Sequence, residues 1–139
     1  MNPVDIAKIR KMLMAPLAGV GASETALSAL TAELGHRLPD DYLEFLRQSN
    51  GYHGEVGPNG FVNIWPVEDV MPTNAANHFR EWIPGLVLFA SNESGDFYAF
   101  DFRQGPASVV FVPAIPLRLD HAAEFSPSFH GFLERLAQS

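Results

Sequence analysis

Residues 24–51 read ETALSALTAELGHRLPDDYLEFLRQSNG, and this stretch decides the fold. Ser23, just ahead of it, is a capping residue, and Leu27, Leu30 and Leu34 then recur at helical spacing until Gly35 stops the run. Pro39 opens a second helix, whose first turn carries Asp40 and Asp41 where negative charge complements the helix dipole. Tyr42, Phe45 and Leu46 stand at i, i+3 and i+4, so they form its buried face, with Glu44 on the other side. Asn50 and Gly51 both tolerate the left-handed backbone that closes a helix, so the stop at residues 49–51 reads as a cap.

Working outward, Asn2 and Pro3 make a helix start, and Ile6, Ile9, Met12 and Leu13 fall on one face before Pro16 and Gly19-Val20-Gly21 end it. The same segment has the basic-then-apolar order of a signal peptide. Asp5, Lys8, Arg10 and Lys11 break any hydrophobic region, so it reads as an amphipathic helix and the chain as cytoplasmic. Residues 51–60 hold four glycines and Pro58, and read as an irregular loop made acidic by Glu55. Strands are expected at 61–65, 86–90, 96–101 and 108–112, with a hairpin turn at 91–95 and another turn at 103–106. Residues 66–70 read as a short helical turn leading into a polar loop. A last helix begins near Ser126-Pro127 and carries Phe129, Phe132, Leu133 and Leu136 on one face. Helices, then short strands, then a helix specify a single α+β domain over residues 1–139, with an antiparallel sheet packed by N-terminal helices and a C-terminal one.

Composition narrows the function classes. The 139 residues contain no cysteine, which excludes disulfides and thiolate chemistry, and eleven phenylalanines supply a core. No apolar run approaches the roughly 18 residues of a membrane span. The net charge is −7, but residues 38–102 hold ten acids against Arg47 and Arg80, a local charge of −8. Nucleic-acid binding needs clustered lysine and arginine, so it is not expected. An acidic surface suits a basic partner.

No catalytic signature stands out. His36, His53, His78, His121 and His130 are dispersed, without the spacing of a metal site. Neither a Gly-x-Ser-x-Gly elbow nor a Gly-Lys-Ser/Thr phosphate loop is present. Asn92-Glu93-Ser94-Gly95-Asp96 has too few alternating acids for a calcium loop and reads as a turn. Asp96 and Asp101 lie five residues apart across a strand and point to opposite faces. No enzyme, metal or cofactor is expected.

Leu34-Gly35, Leu38-Pro39, Tyr42, Phe45-Leu46 and Asn50-Gly51 together resemble the opening signature of the SUKH superfamily, the Smi/Knr-like domains. Ile64-Trp65 followed by Glu68-Asp69 is similar to the family's next strand and helix. Residues 88–101 are similar to its central hairpin, and the likeness runs from about residue 23 to 112. The resemblance implies a Smi/Knr-like fold and a protein-binding role. Many bacterial members are immunity proteins that neutralise a cognate toxin, often a nuclease, while eukaryotic relatives act as scaffolding or regulatory proteins.

The expected partner is therefore a protein, most simply a basic toxin domain, with a general regulatory or scaffolding module as the alternative. Tyr52, His53 and Glu55 are the expected lip of the binding surface, and Glu68, Asp69, Glu93 and Asp96 its acidic field. Trp65, Tyr52 and Tyr98 are candidate aromatic anchors, a class enriched at interface hot spots, set against the plainer reading of Trp65 as core.

Overall fold

A computed structural model describes residues 3–14, 20–76, 79–105, 107–115 and 117–138, with the side chains of residues 3–7 and 80 outside the description. Three helices lead: α1 (Pro3–Met12), α2 (Glu24–Leu34) and α3 (Asp40–Gln48). Asn2, Pro16 and Gly19 fall outside the described residues, while Ile9 and Leu13 are buried as the α1 pattern requires. Ser23 caps α2 by accepting the Ala26 N–H at 3.1 Å, and Gly35 ends it in the left-handed region at φ 73°. In α3, Tyr42, Phe45 and Leu46 form the buried face.

The end of α3 differs from the expected cap. Ser49 is extended (φ −151°, ψ 115°), so the chain opens out there. Gly51 does adopt positive φ, at 94°, and a Cβ on it would sit 2.7 Å from the Ile64 carbonyl oxygen and 2.9 Å from Pro66 N. Only glycine meets both demands. Asn50 serves the next helix instead. Its Oδ1 accepts the Val67 N–H at 2.7 Å and its Nδ2 donates to Glu68 Oε2 at 2.9 Å. Asn50 thus caps α4 (Val67–Ala75) from a distance in sequence, supplying the acceptor that Pro66 at the N-cap position lacks.

The larger correction concerns residues 51–60. They belong to a β-hairpin, β1 (Tyr52–Val56) and β2 (Gly60–Ile64), paired antiparallel from Tyr52↔Ile64 to Val56↔Gly60. Tyr52 and Val56 point inward while His53 and Glu55 point outward, the alternation of a half-buried strand. Gly54 contributes no side chain to that alternation and so hides it. The turn at 57–59 packs so closely on the end of the last helix that a Cβ on Gly57 would run into the Ala137 backbone.

The expected polar loop after residue 70 is also helical. α4 continues to Ala75, and α5 (Phe79–Trp82) follows. Asn74 is buried because it completes the sheet. Its Oδ1 accepts the Leu88 N–H at 2.8 Å, and its Nδ2 donates to the Leu88 and Val70 carbonyls at 2.9 and 2.7 Å. Leu88 in β3 (Leu86–Ser91) would otherwise present unpaired backbone where β2 leaves the sheet.

β4 (Phe97–Asp101), β5 (Ser108–Val112) and β6 (Ala123–Ser126) complete a six-stranded antiparallel sheet in sequence order, and α6 (Phe129–Ala137) closes the chain. β6 had no counterpart among the expected strands. One sheet face carries Tyr98, Phe100 and the bulged Phe89 against α3 and α6. There Phe89 stacks on Phe100 at 4.1 Å, Tyr42 meets Phe100 edge-on at 4.8 Å, and Tyr98 meets Phe132 at 4.8 Å. Phe97, on the opposite face, is covered by Trp65 and by Phe79 of α5, each at 5.9 Å. Tyr42 is fully enclosed, and loss of solvation pushes its phenol well above the ordinary tyrosine range.

Candidate interaction surface

The expected contact residues do not form one site. Tyr52 is 5% exposed, and its hydroxyl donates back to the Glu55 carbonyl at 2.7 Å. Trp65 is 8% exposed, held edge-on to Phe97, with its indole N–H donating to Ser91 Oγ at 3.4 Å. Tyr98 is buried as well. All three aromatics are core residues in this structure, so none stands free as a surface anchor. The cause is the strand period, which turns Tyr52 inward with Val56.

The outward face of the β1–β2 hairpin carries His53, Glu55, Phe61 and Asn63, brought together by the pairings His53↔Asn63 and Glu55↔Phe61. His53 stands edge-on to the half-buried Phe61 at 5.1 Å. Asn63 pairs with Ser91, so Glu93, two residues on, lies toward the Phe61 and Glu55 end of the sheet. Glu93 is exposed at the tip of the β3–β4 turn. Asp96 is less available, because its carboxylate accepts the Ala114 N–H at 2.9 Å and ties that turn to the chain after β5. Asn92 stabilises the same turn, its side-chain oxygen accepting the Ser94 and Asp96 N–H groups.

Glu68 and Asp69 lie elsewhere. They occupy the exposed first turn of α4, next to Asn50, where Gly51 passes against residues 64–66. Glu55 is three strand residues beyond Tyr52, roughly 10 Å further along at about 3.3 Å per residue. The acidic residues therefore make two patches, one at the turn end of the hairpin and one on α4.

Several acids of the middle segment are already neutralised. Arg47 binds Glu24 and Glu44 at 2.8 and 3.1 Å, and Arg37 lies 3.7 Å from Asp40. Arg103 forks onto Asp101 with contacts of 2.9 and 2.8 Å, and this guanidinium holds the Asp101 carboxyl below the usual carboxylate range. Among the described residues, Glu55, Asp69 and Glu93 have no such cation.

Two surface depressions were not foreseen. One, of about 840 Å³, is lined by Trp82, Leu117 and Leu119 together with Arg103 and Arg118, and its Trp82 is 53% exposed. The other, of about 380 Å³, runs between α2 and α4. Neither has a linear signal, since each joins segments that are distant in sequence. Among the described residues no group of three or more His, Asp or Glu is placed to hold a metal ion, and His78 lies outside them. No described helix is long and apolar enough to cross a membrane.

The sequence profile of the SMI1 / KNR4 family (SUKH-1) matches residues 21–135, which extends the likeness beyond residue 112 through β6 and most of α6. A search of curated proteins finds no match.

Proposed function

We propose that this chain, which belongs to the SMI1 / KNR4 family (SUKH-1), is a non-enzymatic protein-binding domain that acts as a cytoplasmic immunity protein against a basic toxin domain. The observation that carries the reading is the set of exposed carboxylates without counter-ions, Glu55, Asp69 and Glu93, on a rigid α+β scaffold. Uncompensated surface charge of one sign accelerates encounter with an oppositely charged partner and disfavours wrong ones. A nuclease suits this role, because the surface it uses to hold phosphates is itself positive. In this reading His53, Glu55 and Glu93 form one part of the contact area, and Glu68 and Asp69 the other.

The test is affinity capture of the partner from the native cell, followed by association kinetics on the purified pair. The variant of choice combines Glu55→Lys, Asp69→Lys and Glu93→Lys and leaves Glu68, which Asn50 holds, untouched. Association of the variant should be slower than wild type, and wild-type association should slow as salt rises. A captured partner that binds the variant at the wild-type rate refutes the proposal. A partner that is no toxin, bound with the same charge dependence, moves the function to a regulatory module.

A further inference from the structure

We infer that the depression lined by Trp82, Leu117 and Leu119 binds an apolar carboxylate, either a free acid or the C-terminal residue of a polypeptide. The apolar body lies against Trp82 and the carboxylate on Arg103 and Arg118. Three segments build the site. The end of α5 supplies Trp82, the turn after β4 supplies Arg103, and the chain between β5 and β6 supplies Leu117, Arg118 and Leu119. Its volume of about 840 Å³ falls within the roughly 300–1,000 Å³ of ligand sites. Trp82 is 53% exposed, so much of its indole surface lies in water until an apolar body covers it.

Unspent donors select the occupant. Arg103 gives Nε and Nη2 to the two oxygens of Asp101 at 2.9 and 2.8 Å. Arg118 gives the same two nitrogens to Asp120 at 3.0 and 2.9 Å. A guanidinium carries five N–H donors, so each fork leaves Nη1 and the outer hydrogen of Nη2 over. Neither Nη1 has an acceptor among the described residues. The remaining edge of each guanidinium matches a carboxylate, which takes two parallel N–H bonds. The forks also hold both heads in place beforehand, which lowers the ordering cost of binding. Gly85 helps to position Arg103, because a Cβ there would lie 2.6 Å from the Arg103 Cγ. The one acid that lines the depression is Asp120, and Arg118 already engages both its oxygens. A cation would have to compete with Arg118 for it, whereas an anion meets donors that nothing else uses.

The experiment titrates the isotope-labelled chain by NMR with 3-phenylpropionate, 3-phenylpropionamide and acetate, and with acetyl-Ala-Ala-Phe carrying a free or an amidated C-terminus. The expected result with both apolar acids is a saturable shift of the Trp82 indole N–H and of amides in residues 81–83 and 117–121. Each amide should bind about tenfold more weakly than its acid, for want of the charge-assisted bonds, and acetate should not saturate. Tighter binding of the peptide acid than of 3-phenylpropionate assigns the site to a chain terminus, and the reverse order to a free acid; both support the inference. Arg118→Gln, at a largely exposed side chain, should shrink the difference between acid and amide. Trp82→Ala should weaken both alike while the rest of the spectrum stays in place. Equal affinities for acid and amide overturn the inference. So do acetate binding as tightly as 3-phenylpropionate, shifts centred outside the depression, or no saturable shift at all. An acid–amide difference unchanged in both Arg118→Gln and Arg103→Gln overturns it too. No probe here is a basic protein and none of the varied residues belongs to the acidic patches, so failure of this site and failure of the proposed function are read separately.

Discussion

Asn50 gives the sharpest test of the local argument, because two readings of the same residue predict opposite signs. As a left-handed helix terminator for α3, Asn50 would be replaced by glycine with no loss, since glycine is the preferred residue at such a position. The structure instead uses its amide. Oδ1 caps the first N–H of α4 at 2.7 Å, and Nδ2 holds Glu68 at 2.9 Å. Removing an N-cap acceptor costs about 1 kcal/mol, within a range of about 0.5–2, and the exposed bond to Glu68 adds a few tenths at most. Asn50→Ala and Asn50→Gly should therefore both destabilise, by about 1–2 kcal/mol.

Unfolding entropy of about 2.1 cal/mol/K per residue gives about 0.3 kcal/mol/K for a chain of this length, so the expected fall in Tm is about 3–7 °C. Differential scanning calorimetry at pH 7 reads it directly. Asn50→Asp separates the two bonds. It keeps the cap acceptor for Val67 and sets a carboxylate against Glu68, so its deficit should shrink as pH falls into the carboxylate range and one of the pair takes up a proton. If Asn50→Gly melts at or above the wild-type temperature, the capping assignment is wrong.

Other outcomes follow from the same structure. Phe45→Ala should cost about 3–5 kcal/mol, because Phe45 is 2% exposed and packs on Phe129 at 5.6 Å, whereas Glu44→Ala loses only a surface ion pair. Equal urea midpoints for the two would show the helix phase to be wrong. Gly57→Ala should destabilise through both its φ of 65° and contact with the Ala137 backbone, and an unchanged melt would contradict the packing of the hairpin turn on α6. Asp101 has its folded pKa below its unfolded one, so its pair with Arg103 stabilises the native state above about pH 4 and that contribution fades as pH falls further. Asp101→Asn should flatten the acid limb of the stability profile, and an identical profile would show that the pair contributes nothing. Chelator treatment should leave the melting curve of purified protein in place, and elemental analysis should find no stoichiometric transition metal.

What could be read in the sequence was whatever one segment decides for itself. α2 and α6 carry their N-caps locally, and α2, α3 and α6 all carry their apolar stripes, so Leu27, Phe45 and Phe132 fall where periodicity puts them. β3, β4 and β5 are continuous apolar runs. β1 was missed because its pattern survives only at Tyr52 and Val56, with glycines inside it and on either side. β6 was missed because Ala123 and Glu124 are exposed, leaving little apolar signal in a four-residue strand. The C-terminal half of α4 was missed because Pro72, Thr73 and Asn74 have poor helix propensity. Tertiary contact overrides it, since Asn74 replaces a strand neighbour for Leu88.

The acidic field shows most clearly why counting along a chain misjudges a surface. Ten carboxylates in residues 38–102 invite the picture of one broad negative face. Folding assigns Asp40, Glu44 and Asp101 to arginines, and Asp41 and Asp96 to backbone N–H groups at His130 and Ala114. Those charges still count toward the net field at long range, but a partner cannot bind them without breaking a contact already made. Of the remaining five, Glu55 and Glu93 lie at one end, Glu68 and Asp69 at the other, and Glu81 stands apart in α5. With a screening length of about 8 Å at physiological ionic strength, patches separated by roughly 10 Å along β1 attract nearly independently. A basic partner would therefore meet the α4 patch and the hairpin patch as two separate local fields. The α4 patch borders a depression floored by Leu30, Val67 and Met71, so charge and apolar surface lie side by side there.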